Sequence, residues 1–188
     1  MAQIIDLLVI DDNKDFCNSL KNTAYQVGTD RNWEVYVTDF QNLEEGFAEL
    51  AKEIKYKGVI LDGKCVIKKG TSDDFDFLPV ALDRLAEINR ITGRIHTPFV
   101  INTGFYTEIK TFMTTQIELR KGKIFDKSIE EEKMLNFLFD AVSVSPETKI
   151  EMEHEHIFDI FNKNYLNSSL RQTLHNLINA QIKNAEEQ

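Results

Sequence analysis

The stretch "GVILDGK", residues 58–64, places a carboxylate directly behind a short apolar run. Val59, Ile60 and Leu61 are typical of a buried β-strand, and Asp62 and Gly63 stand where that strand should end. Such a carboxylate is either a solvated loop residue or cap, or one member of a polar site. The residues that follow the other strands of the chain decide between these two interpretations.

Four further segments have the composition of strands, namely residues 4–10, 33–40, 97–102 and 122–125. Apolar residues at helical spacing follow each strand, and the fourth of these five helices is predicted at about 107–117. The strands scarcely alternate between polar and apolar residues, which indicates that helices cover both of their faces. The order therefore predicts a doubly wound (βα)5 fold of the α/β class with a five-stranded parallel sheet.

The polar segment after Asp62 is predicted to be a loop that carries an insertion at about 64–76. Its sequence, "GKCVIKKGTSDDFD" from residue 63 to 76, mixes charged, small and apolar residues without a clear period.

The composition is typical of a soluble globular protein. The chain has 188 residues, 42% of them apolar and 28% charged, and no apolar run approaches the roughly 20 residues that span a bilayer. The N-terminal stretch "MAQIIDLLVIDDN" lacks the basic region of a signal peptide, so we expect a cytoplasmic protein that has no contact with a membrane. The net charge of −9 argues against general affinity for nucleic acid. Cys17 and Cys65 lack the spacing of a zinc site or a disulfide framework.

Charged and hydroxyl residues follow the predicted strands. Asp11 and Asp12 follow the first strand, Asp62 the third, Thr103 the fourth and Lys127 the fifth. Functional groups in open parallel sheets collect beyond the carboxyl ends of the strands, so these side chains should converge. Three carboxylates at one edge repel one another and call for a divalent cation with oxygen ligands, for which Mg²⁺ is the natural candidate. Together with a lysine and a hydroxyl, they are the groups that phosphoryl transfer to a carboxylate requires.

Four short motifs carry these residues in order along the chain. They are "VIDDN" at 9–13, "VILDG" at 59–63, "VINTG" at 100–104 and "IFDKS" at 124–128. In this order, each at the end of a strand, they make residues 4–142 resemble the receiver domain of two-component response regulators, which has a flavodoxin-like fold. The resemblance implies that Asp62 accepts a phosphoryl group from a phosphohistidine on a sensor histidine kinase or a histidine phosphotransfer protein.

The resemblance also implies a magnesium site. Asp12 and Asp62 would bind Mg²⁺ directly, Asp11 would hold it through water, and the backbone carbonyl of Lys64 would complete the protein ligands.

The resemblance further implies that Thr103 and Lys127 contact the transferred phosphoryl group on Asp62. Such a protein is a signalling module rather than an enzyme, and it passes its conformational change to a partner or a dimer.

Two other functions remain open. The first is a degenerate receiver that acts as a phosphorylation-independent protein-interaction scaffold, which the unusual segment after Asp62 would fit. The second is a phosphohydrolase of the haloacid dehalogenase type, but those enzymes place a second Asp two residues after a nucleophile on the first strand. The sequence "IDDN" lacks that spacing.

The chain divides into a predicted receiver domain at 1–145 and a helical extension at 146–188, with Pro146 expected to close the fifth helix. The extension contains an apolar stretch at 157–166 and then a stripe at helical spacing. The stripe consists of Leu166, Leu170, Leu174, Leu177, Ile178 and Ile182. It could fold back onto the receiver, form a homodimer through residues 150–182, or begin an output region. We find no helix-turn-helix or basic recognition helix in the extension, which argues against nucleic-acid binding.

Overall fold

The computed structural model describes residues 3–52, 55–71, 73–74, 76–154, 157–158 and 168–186. The strands are β1 (Gln3–Ile10), β2 (Trp33–Phe40), β3 (Tyr56–Leu61), β4 (Cys65–Val66), β5 (Asp73–Asp74), β6 (Phe99–Thr103) and β7 (Ile124–Asp126). The helices are α1 (Lys14–Thr29), α2 (Leu43–Lys52), α3 (Phe77–Thr92), α4 (Tyr106–Leu119), α5 (Glu131–Ser143), α6 (Pro146–Glu153) and α7 (Ser168–Glu186).

The main sheet has five strands in the order β2-β1-β3-β6-β7, and each neighbouring pair is parallel. Helices connect these strands along the chain, as a parallel sheet requires. The predicted (βα)5 class is therefore confirmed. The strand order reverses between β1 and β3, which places the carboxyl ends of these two strands side by side at the edge where sites form in such sheets.

Two apolar cores lie on opposite faces of the sheet. One face packs against α2, α3 and α4, and the other packs against α1 and α5. All six residues of β3 are buried, because this strand lies at the centre of the sheet and is covered from both sides. Rigid packing of this kind holds the residue after β3 in a defined place.

The segment predicted as a loop after Asp62 contains a second, two-stranded sheet. Cys65 of β4 pairs antiparallel with Asp74 of β5. Cys65 is buried in the core beneath α2, and the carbonyl of Ile67 accepts a hydrogen bond from the Glu44 N–H at 3.1 Å. The prediction of a structureless loop was wrong here because these apolar residues dock on the domain, a contact that no local period reveals.

Pro146 begins a helix instead of closing one. Helix α5 already ends at Ser143, and Ser145 caps α6 by accepting a hydrogen bond from the Thr148 N–H at 3.2 Å. Proline fits the first turn of a helix because the N–H that it lacks would have no partner there. The expectation for Pro146 is therefore corrected.

The predicted stripe of the extension divides between two sides of α7. Ile178 is buried and Leu174 partly buried against Ile150 and Phe158, whereas Leu170 and Leu177 are exposed. Residues 159–167, which include most of the apolar stretch and Leu166, lie outside the described residues, and so does the side chain of Ile182.

The extension is also joined to the sheet by buried charges. Glu151 of α6 pairs with Lys57 of β3, with Arg171 of α7 at 2.6 Å and with His175 at 2.7 Å. We call these four residues the Glu151 cluster. The Lys57 side chain belongs to the central strand, so α6 contacts the (βα)5 unit directly, and α7 joins it through Glu151.

Within the described part of the chain, no helix has both the length and the apolar character needed to cross a bilayer. Cys17 and Cys65 are both free and buried.

Candidate functional site

Three carboxylates meet at the carboxyl edge of the sheet. The ladder between β1 and β3 continues one step past Leu61, because the Asp62 N–H donates to the Ile10 carbonyl at 2.9 Å. One oxygen from each of Asp11, Asp12 and Asp62 lies within 4.8 Å of the others. Asp11 and Asp62 are buried and Asp12 is exposed. We call these three residues the acidic site.

Lys127 reaches the acidic site from the end of β7. Its Nζ lies 2.6 Å from Asp11 Oδ2 and 3.2 Å from Asp62 Oδ2. The same Nζ lies 4.6 Å from the centre of the Phe16 ring on α1, close enough for a cation–π contact. One ammonium group thus bridges the two buried carboxylates.

Burial dominates the electrostatics of the acidic site. It raises the pKa of Asp11 to about 6, with help from the neighbouring Asp62 charge and against the opposing effect of Lys127. Burial also raises the pKa of Asp62, again against the effect of Lys127. Burial by itself would favour the neutral amine of Lys127, but the two carboxylates outweigh it and raise the pKa of Lys127. The site therefore has an excess of negative charge that a cation would relieve.

Backbone groups orient the two buried carboxylates. Asp62 Oδ1 accepts hydrogen bonds from the N–H groups of Gly63 at 2.6 Å and Lys64 at 3.5 Å. Asp11 Oδ1 accepts one from the Asn13 N–H at 2.9 Å. Asn13, rather than Asp12, caps α1, since its side chain accepts from the Phe16 N–H at 3.0 Å. The carboxylate of Asp12 is therefore not used as the cap of this helix.

Thr103 lies beside the backbone that follows Asp62. It is fully buried, and its Oγ1 accepts a hydrogen bond from the Phe105 N–H at 3.0 Å. A Cβ atom on Gly63 would lie 2.5 Å from this Oγ1. A side chain at position 63 would therefore collide with Thr103, so a glycine fits here.

Lys64 and Phe105, each two residues beyond a residue of the predicted site, contact one another. The Lys64 Nζ lies 5.2 Å from the centre of the Phe105 ring, and the ring is 39% exposed. The role of the Lys64 carbonyl as a metal ligand stays a prediction.

Sequence reasoning missed Phe16 and Asn13. Asn13 carries a recognisable signal, since it directly precedes a helical pattern and Asn is a preferred cap. Phe16 shows only the apolar spacing of α1, so its contact with Lys127 needed the tertiary structure.

The residues of the acidic site fit a hard divalent cation. They offer carboxylate oxygens and backbone carbonyls, and two of the carboxylates lie on rigid strand ends. Magnesium prefers such oxygen ligands and retains several waters. Because Asp12 is exposed, these waters could reach the ion from that side.

No protein-family model matches this chain, and no curated protein does. Among solved structures, it is similar to a sensor protein from Polaromonas sp. JS666, with 13% identity and a TM-score of 0.54 over 74% of this chain and 96% of that one. It is also similar to a fusion that carries a yeast Spc42 trimeric coiled-coil segment, with 12% identity and a TM-score of 0.50 over 99% of both chains. At such identities the likeness concerns the fold alone.

Proposed function

We propose that this protein is a phosphorylatable receiver that accepts a phosphoryl group on Asp62. Its donor would be a sensor histidine kinase or a histidine phosphotransfer protein in the cytoplasm. The protein would act as a signalling module, and its receiver would occupy residues 1–145.

One observation carries this proposal. Asp62 stands at the end of a buried central strand, with two further carboxylates and the Lys127 ammonium group in contact range of one another. A structural ion pair needs one acid for one base, whereas this edge collects three acids, two of which share one lysine. Their strand-end placement matches the motifs that resemble a receiver.

The acidic site would hold Mg²⁺ through Asp12 and Asp62, through Asp11 by way of water, and through the backbone carbonyl of Lys64. Bound there, the ion would neutralise the carboxylates and the oxygens of the incoming phosphoryl group.

In the transfer step, an Asp62 carboxylate oxygen forms a bond to phosphorus while the phosphorus–nitrogen bond of the donor breaks. The bonding electron pair leaves with the imidazole nitrogen of the donor, and Asp62 becomes an acyl phosphate. Lys127, which pairs with Asp62 Oδ2 at 3.2 Å, can turn its ammonium group to a phosphoryl oxygen. The Thr103 hydroxyl can donate to a second oxygen, which would spread the developing charge over two fixed partners.

The test is incubation with acetyl phosphate and Mg²⁺, followed by intact-mass measurement. We expect one added phosphoryl group in the parent and none in Asp62→Asn. A matched control is Asp126→Asn, since Asp126 also ends a strand but its Oδ1 accepts from the N–H and hydroxyl of Ser128 instead. This variant should be modified like the parent.

Two results would contradict the proposal. A mass shift that persists in Asp62→Asn would exclude Asp62 as the acceptor. A folded parent that takes up no phosphoryl group would favour the alternative, a scaffold that binds partners without phosphorylation.

A further inference from the structure

Asn102 is a polar residue inside an apolar row of the sheet. It lies in β6 with no exposed surface, and neither its Nδ2 nor its Oδ1 has a hydrogen-bond partner within the part of the chain that the structure describes. Val100 precedes it on the same face, and Phe125 is its partner in β7. A leucine has the same branching and the same number of side-chain heavy atoms, and it would not bury an unpaired amide.

The register of the sheet places Asn102 next to Asp62. Ile60 pairs with Val100 and Leu61 with Ile101, so one further step sets Asp62 opposite Asn102. Neighbouring strands lie about 4.8 Å apart.

The two side chains also share a face. Ile60 and Val100 both belong to the core under α1 and α5, and side chains two residues apart on a strand return to the same face. Asp62 and Asn102 therefore face the α1 side, where the Lys127 Nζ also contacts Phe16.

The unpaired amide costs stability, because a buried polar group without a partner has lost its hydrogen bonds to water. Residues that break local packing rules in this way are concentrated at functional sites. Asn102, which carries this cost in stability, lies beside Asp62, the carboxylate that we propose is phosphorylated.

We propose that Asn102 is a positioning residue for Asp62, whose amide donates a hydrogen bond to the Asp62 carboxylate when Lys127 turns from that carboxylate to the phosphoryl group. This inference rests on the proposed phosphorylation of Asp62. Lys127 now donates to Asp62 Oδ2 at 3.2 Å, so its departure removes a donor from a buried oxygen. The Asn102 amide then donates to Oδ2, the oxygen that Lys127 has left, and keeps the Asp62 side chain oriented.

The test compares Asn102→Leu with the parent by two measurements. Thermal unfolding should show a Tm about 2–6 °C higher in the variant, because an apolar side chain replaces an unpaired amide. The rate of phosphorylation by saturating acetyl phosphate with Mg²⁺ should fall about tenfold, as expected for one lost hydrogen bond to a charged group.

A matched control is Val100→Ala, one step back on the same face of β6. This variant should have a lower Tm and a phosphorylation rate close to that of the parent. A purely structural role for Asn102 predicts a different pattern, in which Asn102→Leu loses stability and rate together.

The outcomes separate this inference from the function on which it rests. A parent that is not phosphorylated overturns both. A phosphorylated parent with an equal rate in Asn102→Leu overturns only the role of Asn102, as does a Tm of that variant that stays the same or falls.

Discussion

Asp11 is almost fully buried, at 1% exposure, and its burial lowers the stability of the folded protein at neutral pH. Its pKa is raised from 3.8 to about 6, so the folded protein holds the Asp11 proton more tightly than the unfolded chain does. Stability from this group is therefore greatest below about pH 4 and is lost as the pH rises through 6. At neutral pH the buried charge opposes folding.

We accordingly predict that Asp11→Asn is more stable than the parent at pH 7, by about 3 kcal/mol at most, since each pKa unit corresponds to about 1.36 kcal/mol. The difference should shrink toward zero at pH 4, where both forms carry a neutral side chain. Urea unfolding between pH 4 and 8 measures it. A variant less stable than the parent at pH 7 would show that the Lys127 pair stabilises the charged form more than burial penalises it.

Phe105 and Lys64 give a second prediction at the residue scale, which depends on phosphorylation of Asp62. The exposed Phe105 ring packs under the Lys64 ammonium group and would exclude water from the acyl phosphate. We predict that Phe105→Ala shortens the lifetime of the phosphorylated protein roughly tenfold, which corresponds to about 1.4 kcal/mol of barrier.

The measurement is the loss of the added mass after donor removal. Phe112→Ala is the matched control, because Phe112 is an exposed aromatic residue two turns further along α4. Equal lifetimes for Phe105→Ala and the parent would mean that this ring does not control access of water.

At the scale of the element, α7 has two apolar sides with different partners. Ile178 and Leu174 pack against α6 and Phe158, while Leu170 is 45% and Leu177 60% exposed, one heptad apart. The predicted homodimer through 150–182 therefore depends on the exposed pair, since the inner side is already covered.

We predict that the parent is a dimer and that the double variant Leu170→Gln/Leu177→Gln is a folded monomer, because its substitutions lie on positions that are solvent-exposed in the protomer. Light scattering during size-exclusion chromatography measures the mass. Ile91→Gln, which changes an exposed apolar residue on α3, is the control and should stay dimeric. A monomeric parent would mean that α7 serves only to pack against its own chain.

At the scale of the whole molecule, the Glu151 cluster joins the extension to the end of the sheet opposite Asp62. Burial by itself would raise the pKa of Glu151. The charges of Lys57 and Arg171 outweigh burial and hold this pKa well below its usual range. Burial lowers the pKa of Lys57 to about 8 against the effect of Glu151. The Glu151 carboxylate thus pairs with two buried cations, whereas each of these cations contributes one of the two ion pairs.

Substitution of Glu151 and substitution of Lys57 should therefore change the stability of the protein by different amounts. Glu151→Gln removes the carboxylate that contacts both Lys57 and Arg171 and should cost about 3–5 kcal/mol. Lys57→Met removes one cation and leaves Glu151 its bonds to Arg171 and His175, so the loss should be about 1 kcal/mol or less.

Chemical denaturation measures both losses, and Glu153→Gln is the control because Glu153 is an exposed acid on the same helix. Equal losses for Glu151→Gln and Lys57→Met would contradict the assignment of Glu151 as the shared countercharge.

Much of the fold and of the candidate site could be predicted because it depends on local patterns. Apolar runs separated by helical periods determined the five parallel strands, and β2 was predicted to the residue at 33–40. Residues at strand ends converge in any sheet of this topology, so the sequence also indicated which carboxylates and which lysine would meet.

Contacts between distant segments were decided only by the tertiary structure. The segment after Asp62 forms a hairpin because the Cys65 side chain packs into the core. Glu151 is buried because Lys57 and Arg171 pair with it from other elements. Asn102 looks like an ordinary strand residue until the register sets it beside Asp62. Local periodicity reports which face of an element is buried, but the partner on that face depends on how the whole chain packs.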